Sequence, residues 1–292
     1  MAQTLEHLSR QSATLSSIRG IVHTMKTLAA INANPYEQAA QAIDQYHQTV
    51  KKGLAAFVRA QGGARPQPGK ARSQLLVVFG SDHGLCGSYN EQLAQQVRNY
   101  AQSNPHLEMR IACVGARMAN ALQNEDFSIE SYLLPPANVD GVSRLASNLV
   151  ERIESYSEGR DLDELSVQLA FTQPAENAGS QGIIRALLPL QPELLAPMAH
   201  WPSRALPIFT MEANKLLAAL LRSHLFASLY YASAMAMVTE NAARLSLMQQ
   251  AEQAVDERLM EINQEIAQAR QDEITHELMD IVMSHFIKKK PG

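Results

Sequence analysis

The sequence predicts an α/β protein in which a long antiparallel coiled coil of the N- and C-terminal helices carries an inserted Rossmann-like α/β domain. Three observations lead to this fold class. No glycine or proline lies between Pro207 and Pro291, which allows one uninterrupted helix. The first sixty residues also have apolar side chains at helical spacing. Between these two segments, short β-type runs alternate with amphipathic segments.

The C-terminal segment is predicted to be a helix that pairs with another helix. Its apolar residues recur at steps of three and four, the heptad pattern of coiled coils. They are Met248, Ala251, Val255, Leu259, Ile262, Ile266 and Ala269, and after a step of five the pattern resumes with Ile274, Leu278 and Ile281. The opposite face is predicted to be solvated and acidic, with Glu252, Asp256, Glu257, Glu261, Glu265 and Asp272.

The N-terminal segment carries two apolar stripes at helical spacing. The first comprises Ile18, Ile21, Val22, Met25, Leu28 and Ala29, and the second comprises Ala39, Ile43, Tyr46, Val50, Leu54 and Phe57. Pro35 lies between the stripes. A proline inside a helix removes a backbone hydrogen bond, so a kink or a break is expected there. Because both ends of the chain carry apolar seams, we expect the two long helices to pair antiparallel.

The central part of the chain has the alternating pattern of an α/β layer domain. Strands are predicted at 74–79, 107–114, 127–134, 165–171 and 183–188, and helices at 89–102, 116–123 and 142–156. The predicted domain boundaries are 1–62 for the N-terminal helix, 63–72 for a linker rich in glycine and proline, 73–206 for the α/β domain and 207–292 for the C-terminal helix.

Composition excludes several classes of protein. The net charge of -4 argues against a general nucleic-acid-binding protein. The two cysteines, Cys86 and Cys113, give neither a disulfide framework nor a zinc pattern, which suits a reducing compartment. No apolar run approaches the ~20 residues of a membrane span, and the N-terminus has no apolar signal core. We therefore expect a soluble intracellular protein that acts at a membrane only through partners.

A glycine-rich loop, Gly80 to Asn90, follows the first predicted strand and precedes a helix. Phosphate-binding loops are built this way, but this loop matches neither GxGxxG nor GxxxxGK[ST], so nucleotide binding is disfavoured. Cys86 lies three residues after His83, which raises the alternative of a thiol nucleophile. Without a third group to orient such a pair, a small buried cysteine is the better interpretation.

The same loop carries a family resemblance. Ser81-Asp82-His83-Gly84-Leu85-Cys86-Gly87, followed by Asn90, resembles the Ser-Asp-Arg-Gly-Leu-Cys-Gly signature of the gamma subunits of rotary F-type ATP synthases. Thr24-Met25-Lys26 is similar to the Lys-Ala-Met region of that family's first helix, and the segments 240–248 and 269–282 resemble its C-terminal pattern. The resemblance covers nearly the whole chain, in order.

This resemblance implies a mechanical function. A gamma subunit is the central rotor shaft, which couples ion-driven rotation of the membrane c ring to conformational change at the catalytic beta subunits. The implied partners are three alpha and three beta subunits, the epsilon subunit and the c-subunit ring. The chain would have no catalytic residue, metal or cofactor of its own. It would lie at the cytoplasmic face of the bacterial inner membrane without inserting, as a divergent bacterial member of an alternative or sodium-type F-type complex.

The resemblance also assigns residues to two roles. Residues implied in beta-subunit contact and coupling are Arg270, Gln271, Thr275, Asp280, Met25, Lys26 and His83. An arginine fork binds carboxylates directionally, which suits a contact that holds one rotary position. His83 stands where the family has arginine, and a neutral histidine does not replace that charge. The residues implied in shaping the loop are Asp82, Gly84, Cys86 and Gly87.

Two other classes of function stay open at this point. A free-standing coiled-coil scaffold would explain the two helices but not the loop signature. An α/β enzyme with a coiled-coil arm is the other alternative, but the α/β part lacks a convincing pair of catalytic groups. His200 and Trp201 lie in a proline-rich loop and have the character of packing or surface residues.

Overall fold

A computed structural model describes residues 2–60, 73–158, 165–175, 179–190 and 208–288. Two compact units are present: a helical unit of Met1–Ala29 with Arg244–Gly292, and an α/β unit of Ala30–Ala243. The predicted linker and the loop with His200 and Trp201 lie outside the described residues. Over the described ranges, none of the helices combines the length and the apolar character needed to cross a membrane.

The two long terminal helices are confirmed as α1 (Ala2–Ala60) and α5 (Ala213–Lys288). Helix α5 contains neither glycine nor proline and is rich in residues with high helix propensity, such as alanine, leucine and glutamine. Helix α1 continues through Pro35, so the predicted break at this residue is wrong. The proline removes one backbone hydrogen bond, but packing of the adjacent Tyr36, which is only 4% exposed, holds the next turn in place.

In the helical unit, α1 and α5 run antiparallel, as predicted. Ser12 Oγ donates to Asn263 Oδ1 at 3.4 Å. Arg19 Nε donates to Asp256 Oδ1 at 2.5 Å. A step of one heptad up α1 therefore matches a step of one heptad down α5, which is the geometry of a regular two-helix seam.

The apolar seam predicted on α5 is confirmed from Met248 to Ala269. Met248 and Ile262 are 3% and 2% exposed, and the other predicted seam residues between them are half-buried. On α1, Val22 and Ala29 are also buried, with 8% and 2% of their surface exposed. Past Ala269 the apolar residues of α5 are exposed, namely Ile274, Leu278, Met279, Ile281, Val282 and Met283.

Two details of the predicted pairing are wrong. Only half of the first stripe on α1 lies on the contact face: Val22 and Ala29 are buried and Met25 is half-buried, whereas Ile18, Ile21 and Leu28 are 39%, 61% and 53% exposed. The contact face is rotated around the helix relative to the predicted stripe and includes the charged residues Arg19 and Lys26. Charged residues on a contact face interrupt its apolar pattern. The sequence pattern therefore indicated the neighbouring face of α1.

The acidic face of α5 is not fully solvated as predicted. Glu252 keeps only 17% of its side chain exposed and lies between two residues of α1. Lys26 Nζ donates to one carboxylate oxygen, and His23 Nδ1 lies 2.9 Å from the other. These hydrogen bonds lower the pKa of the Glu252 carboxyl. Part of the acidic face therefore belongs to the helix pairing.

The α/β unit contains a five-stranded sheet whose elements agree with the prediction to within a few residues. The strands are β1 (Ser73–Phe79), β2 (Glu108–Val114), β3 (Ile129–Leu133), β4 (Leu165–Ala175) and β5 (Gly179–Leu188). The helices are α2 (Tyr89–Ser103), α3 (Ala116–Asn124) and α4 (Gly141–Ser157). The strand order is β3-β2-β1-β4-β5, parallel except for the β4–β5 hairpin.

Both faces of this sheet are covered, which explains the continuous apolar sequence of its central strand. On one face, Leu75, Val77 and Phe79 pack in a cluster with residues of α4 and α5. On the other, Leu76 and Val78 pack with residues of α2 and α3. The alternation of side chains along β1 thus divides the core into two layers.

A pair of histidines joins α1 and α5 within the α/β unit. His47 Nε2 lies 2.9 Å from His224 Nδ1. Burial lowers the pKa of each imidazole to about 4, and the nearby cationic Lys51 acts in the same direction. Asp44 partly opposes the shift at His47, while Arg185 adds to it. Both rings are therefore neutral at neutral pH and can share one N–H between them.

We predict that cysteines at the facing positions 12 and 263 will form a disulfide. The side chains of Ser12 and Asn263 meet at 3.4 Å, so Ser12→Cys/Asn263→Cys should crosslink completely under mild oxidation, as measured by electrophoretic mobility without reductant. Ser12→Cys/Arg270→Cys, displaced by one heptad, is the matched control and should not crosslink. Equal crosslinking of both variants would contradict the antiparallel register.

Acid should weaken the fold through the histidine pair. Because the folded-state pKa of about 4 lies below the ordinary 6.5, the unfolded state binds more protons between these values. The free energy of unfolding should therefore fall as pH drops from about 6.5 to about 4. In His47→Gln/His224→Gln, the loss of stability between pH 7 and pH 4.5 should shrink by on the order of 2 kcal/mol, allowing for the partial solvation of His47.

Urea denaturation at the two pH values measures this difference. His106→Gln, at an exposed position of the same unit, is the control and should keep the wild-type pH dependence. An unchanged pH dependence in the double variant would show that the histidine pair is not the acid-sensitive contact.

Candidate functional site

The glycine-rich loop connects β1 to α2, and its first residue, Gly80, leaves no room for a side chain. A Cβ on Gly80 would lie 2.3 Å from Cβ of Met118 on α3, so no larger residue fits. Gly87 has φ of +62°, a left-handed conformation that glycine adopts without strain. The loop is therefore a tight structural turn that brings β1, α2 and α3 close together.

Asn90 holds the loop closed from the first turn of α2. Its Oδ1 accepts a hydrogen bond from the backbone N–H of Ser81 at 3.0 Å, and its Nδ2 donates to Ser81 Oγ at 2.8 Å. Ser81 Oγ in turn donates to the carbonyl oxygen of His83 at 2.9 Å. Ser81 and Asn90 are 0% and 3% exposed, so this network is dry and rigid.

Cys86 belongs to the same network. It is 3% exposed, and its Sγ lies 3.5 Å from Ser81 Oγ and 3.8 Å from Asn90 Nδ2. Its neighbour His83 is exposed and contributes only its backbone carbonyl to these bonds. A thiol that is buried and bound within a turn has the character of a structural residue, which favours that interpretation over the nucleophile alternative. The second cysteine, Cys113, is fully buried, and burial raises its pKa to about 12.

Asp82 fixes the loop to two other elements. Its Oδ1 accepts the backbone N–H of Ala116 at 3.1 Å and the hydroxyl of Tyr132 at 2.9 Å. The first of these bonds is the main reason that the pKa of Asp82 is lowered. Burial and the Asp82 carboxylate raise the pKa of Tyr132 to about 12. Asp82 therefore joins the loop to the first turn of α3 and to β3.

Helix α5 fills the crevice at the edge of the sheet, where doubly wound folds bind their ligands. Chain order changes direction between β1 and β4, and ligands of such folds bind at that point. Here the Tyr89 hydroxyl donates to the carbonyl oxygen of Ala236 at 3.0 Å. The Thr239 hydroxyl donates to the carbonyl oxygen of Thr172, also at 3.0 Å. The polar groups at the switch point thus bind a helix of the same chain, which argues against a nucleotide site.

The predicted coupling residues on α5 form an exposed group. Arg270, Gln271, Thr275 and Asp280 all lie on the exposed surface of this helix, and Thr275 Oγ1 donates to the backbone of Gln271 at 2.8 Å. Arg270 is available to a partner, because it takes part in no ion pair or side-chain hydrogen bond among the residues that the structure describes.

The predicted coupling residues on α1 lie apart from that group. Met25 is half-buried, and Lys26 binds Glu252 within the helix pair. Since Lys26 faces Glu252, some eighteen residues before Arg270, the two groups are separated along α5 by about 27 Å. The predicted coupling residues of the helical unit thus form two separate groups, and His83 lies on the loop of the α/β unit. The pairing role of Lys26 was missed because an isolated lysine gives no sequence signal for its partner.

Comparisons with known proteins agree along the full length of the chain. A family model described as ATP synthase matches residues 4–285. The ATP synthase gamma chain of Polynucleobacter necessarius is 25% identical over 97% of this chain and 98% of its own. That of Granulibacter bethesdensis is 25% identical over 96% of this chain and 97% of its own. A chain in the cryo-EM structure of the Euglena gracilis mitochondrial ATP synthase (OSCP/F1/c-ring) has the same fold, with a TM-score of 0.66, 16% identity, and coverage of 100% of this chain and 98% of its own.

We predict that Asn90→Ala will destabilise the protein by about 2–3 kcal/mol. The substitution leaves the buried N–H of Ser81 without its acceptor and removes the hydrogen bond that Asn90 Nδ2 donates to Ser81 Oγ, and an unsatisfied buried polar group costs about 1–3 kcal/mol. The shift in urea midpoint measures the loss. Gln95→Ala, one turn along α2 at an exposed position, is the control and should change stability by less than about 0.5 kcal/mol. A wild-type midpoint for Asn90→Ala would contradict the role of the network.

Proposed function

Because the chain belongs to the ATP synthase family and aligns end to end with gamma chains, we propose that it is the central rotor shaft of an F-type ATP synthase. As the gamma subunit, it couples rotation to the conformational change of the nucleotide-binding subunits. The observation that carries this conclusion is the match over residues 4–285, together with two long antiparallel helices attached to an α/β sheet in the same order as the family.

The physical design suits a shaft. A rotor must transmit torque along its length, and two supercoiled helices resist bending and twisting better than one. The described part of α5 has no proline or glycine at which it could yield. Past Ala269, α5 presents an exposed apolar surface that includes Ile274, Leu278 and Ile281. Such a surface requires a partner to cover it in the working complex, which supports enclosure by a ring of other subunits.

The partners follow from this role. The shaft would stand within three alpha and three beta subunits, with the epsilon subunit and the c-subunit ring at its α/β end. The gamma subunit is a stalk subunit, and we propose that catalysis takes place on the beta subunits and needs no cofactor from this chain. The complex is membrane-associated, and we propose that this chain lies peripherally at the cytoplasmic face of a bacterial inner membrane.

The assignments of individual residues are part of the proposal. Arg270 and Gln271 would hydrogen-bond a polar loop of one beta subunit, with Thr275 and Asp280 in the adjoining turns. Their exposure supports this role. Met25, Lys26 and His83 would contribute at other levels of the shaft. We also propose the division into a helix at 1–62, a linker at 63–72, an α/β domain at 73–206 and a helix at 207–292.

Reconstitution with the alpha and beta subunits encoded beside this chain tests the proposal. We expect a complex of three alpha, three beta and one copy of this chain, with an ATPase activity that depends on it. If the chain is stable alone and does not bind the alpha and beta subunits, a free-standing scaffold is the better explanation. Binding of a small ligand by the chain would instead favour an enzyme.

Arg270→Ala should lower coupled turnover by about tenfold while assembly is kept. The substitution removes a charge-assisted contact that is worth roughly 1.5–3 kcal/mol and lies on the exposed surface of α5. Turnover and subunit stoichiometry of the purified complex are the measurements. Arg258→Ala, whose guanidinium binds Glu261 on the same helix at 2.7 Å, is the matched control and should leave turnover near wild type. Loss of assembly in Arg270→Ala would instead assign the residue a structural role.

A further inference from the structure

Helix α5 packs on the sheet of the α/β unit largely through apolar side chains. Leu225, Leu229, Ala232 and Ala236 are buried in the cluster that covers one face of the sheet. Apolar contacts are non-directional and stabilise in proportion to the area removed from water. Such contacts hold α5 against the sheet, but they define the rotation of the helix about its own axis only through the fit of the side chains.

Two buried hydroxyl groups add directional contacts to this apolar packing. The Tyr89 hydroxyl donates to the carbonyl oxygen of Ala236, and the Thr239 hydroxyl donates to the carbonyl oxygen of Thr172, each at 3.0 Å. Tyr89 and Thr239 are 5% and 2% exposed. A hydrogen bond weakens steeply when its donor and acceptor are misaligned, so each bond defines the rotation of α5 at this point.

Two different elements of the α/β unit hold this one turn of α5. Tyr89 is the first residue of α2, and Thr172 lies on β4, past the end of the β1–β4 pairing at Ala170. Ala236 and Thr239 are three residues apart on α5, so they share one face of the helix. Rotation of α5 about its axis would therefore strain both bonds together.

The Thr239 hydroxyl lies within reach of three carbonyl oxygens. Besides that of Thr172, they are those of Met235 at 3.0 Å and Ala236 at 3.1 Å. A hydroxyl group carries one hydrogen, which it donates according to the acceptors around it. Of these three bonds, the bond to Thr172 is the one that leaves α5, so this bond ties Thr239 to the sheet.

A third buried hydroxyl group holds α1 in the same part of the α/β unit. Tyr36 is 4% exposed, and its hydroxyl donates to the carbonyl oxygen of Pro136 at 3.4 Å. The same residue packs in one cluster with Val142 of α4 and with Val238, the neighbour of Thr239 on α5. Both long helices are therefore fixed to the α/β unit at one level.

Tyr36, Tyr89 and Thr239, here called the hydroxyl collar, lie where a shaft needs to be held. The α/β unit comprises Ala30–Ala243, so Tyr36 on α1 and Thr239 on α5 are close to the two ends of this unit. Both helices continue past these ends. A torque that acts on the α/β unit has to enter each helix before that helix leaves the unit.

We propose that the hydroxyl collar fixes the rotational position of α1 and α5 in the α/β unit and passes torque from this unit to the two helices. This inference rests on the proposed function and deepens it by naming residues that position the shaft. Turning α5 against the sheet would break hydrogen bonds between buried groups, where no water replaces the lost partner. Apolar contacts alone would let the helix yield by small rotations.

The test measures the torsional stiffness of the shaft in the complex with the alpha and beta subunits. The alpha–beta ring is fixed to a surface, and a bead is coupled to the α/β unit through His106→Cys, at an exposed position. The variance of the bead angle in the stalled complex rises as the stiffness falls. Tyr89→Phe and Thr239→Val should each raise this variance by about twofold, because each removes one of the two directional bonds on α5.

A conservative variant and two controls separate positioning from folding. Thr239→Ser keeps the hydroxyl and should retain the wild-type variance. So should Tyr231→Phe, which removes from α5 a hydroxyl that makes no hydrogen bond with the residues that the structure describes. Ile111→Val removes a buried methyl group on the other face of the sheet. It should lower the urea midpoint about as much as Tyr89→Phe does and leave the variance unchanged.

The possible outcomes distinguish the hydroxyl collar from the function on which it rests. If the wild-type chain does not assemble with the alpha and beta subunits, the proposed function fails and the collar fails with it. If the complex assembles and Tyr89→Phe and Thr239→Val keep the wild-type variance, only the collar is overturned. A rise in Ile111→Val equal to that in Tyr89→Phe would also overturn it, because the variance would then follow stability alone.

Discussion

In each compact unit α1 runs antiparallel to α5, and the rest of the structure depends on that contact. A long helix with one apolar seam cannot remain single in water, because the seam would expose a continuous apolar surface. In the helical unit the seam is closed around Val22 and Ile262. In the α/β unit it is closed around Leu54 and the histidine pair of His47 and His224. The sheet then packs on the face of α5 that α1 leaves uncovered.

The seam is not purely apolar, and its polar members have partners. Arg19 meets Asp256, Lys26 meets Glu252, and a pair of neutral imidazoles meets within the α/β unit. Such contacts add little net stability at the surface, but a mismatched register would leave each group without its partner. The helix pair therefore combines modest apolar burial with contacts that are specific to one alignment.

The α/β unit shows how a fold used widely for ligand binding can serve another purpose. Its loop after β1 has the glycine content of a phosphate site, yet the backbone N–H of Ser81 is bound by Asn90, and the backbone N–H of Ala116 at the start of α3 is bound by Asp82. The crevice between β1 and β4 holds α5 through Tyr89 and Thr239. The strand order alone therefore does not define the function of such a domain; the groups that occupy its crevice do. The result is a rigid base for a helix.

The sequence alone determined the elements of this protein, because their signals are local. Apolar periodicity placed the strands and the helices within a few residues, and the absence of proline and glycine predicted an unbroken α5. Contacts between distant residues were decided by tertiary structure. Packing around Tyr36 carried α1 through Pro35, and pairing with α5 selected a face of α1 that includes Arg19 and Lys26 in place of Ile18 and Ile21. Sequence periodicity does not indicate which face pairs, because the free energy of a partly exposed ion pair or an exposed isoleucine depends on the neighbouring residues that the tertiary structure supplies.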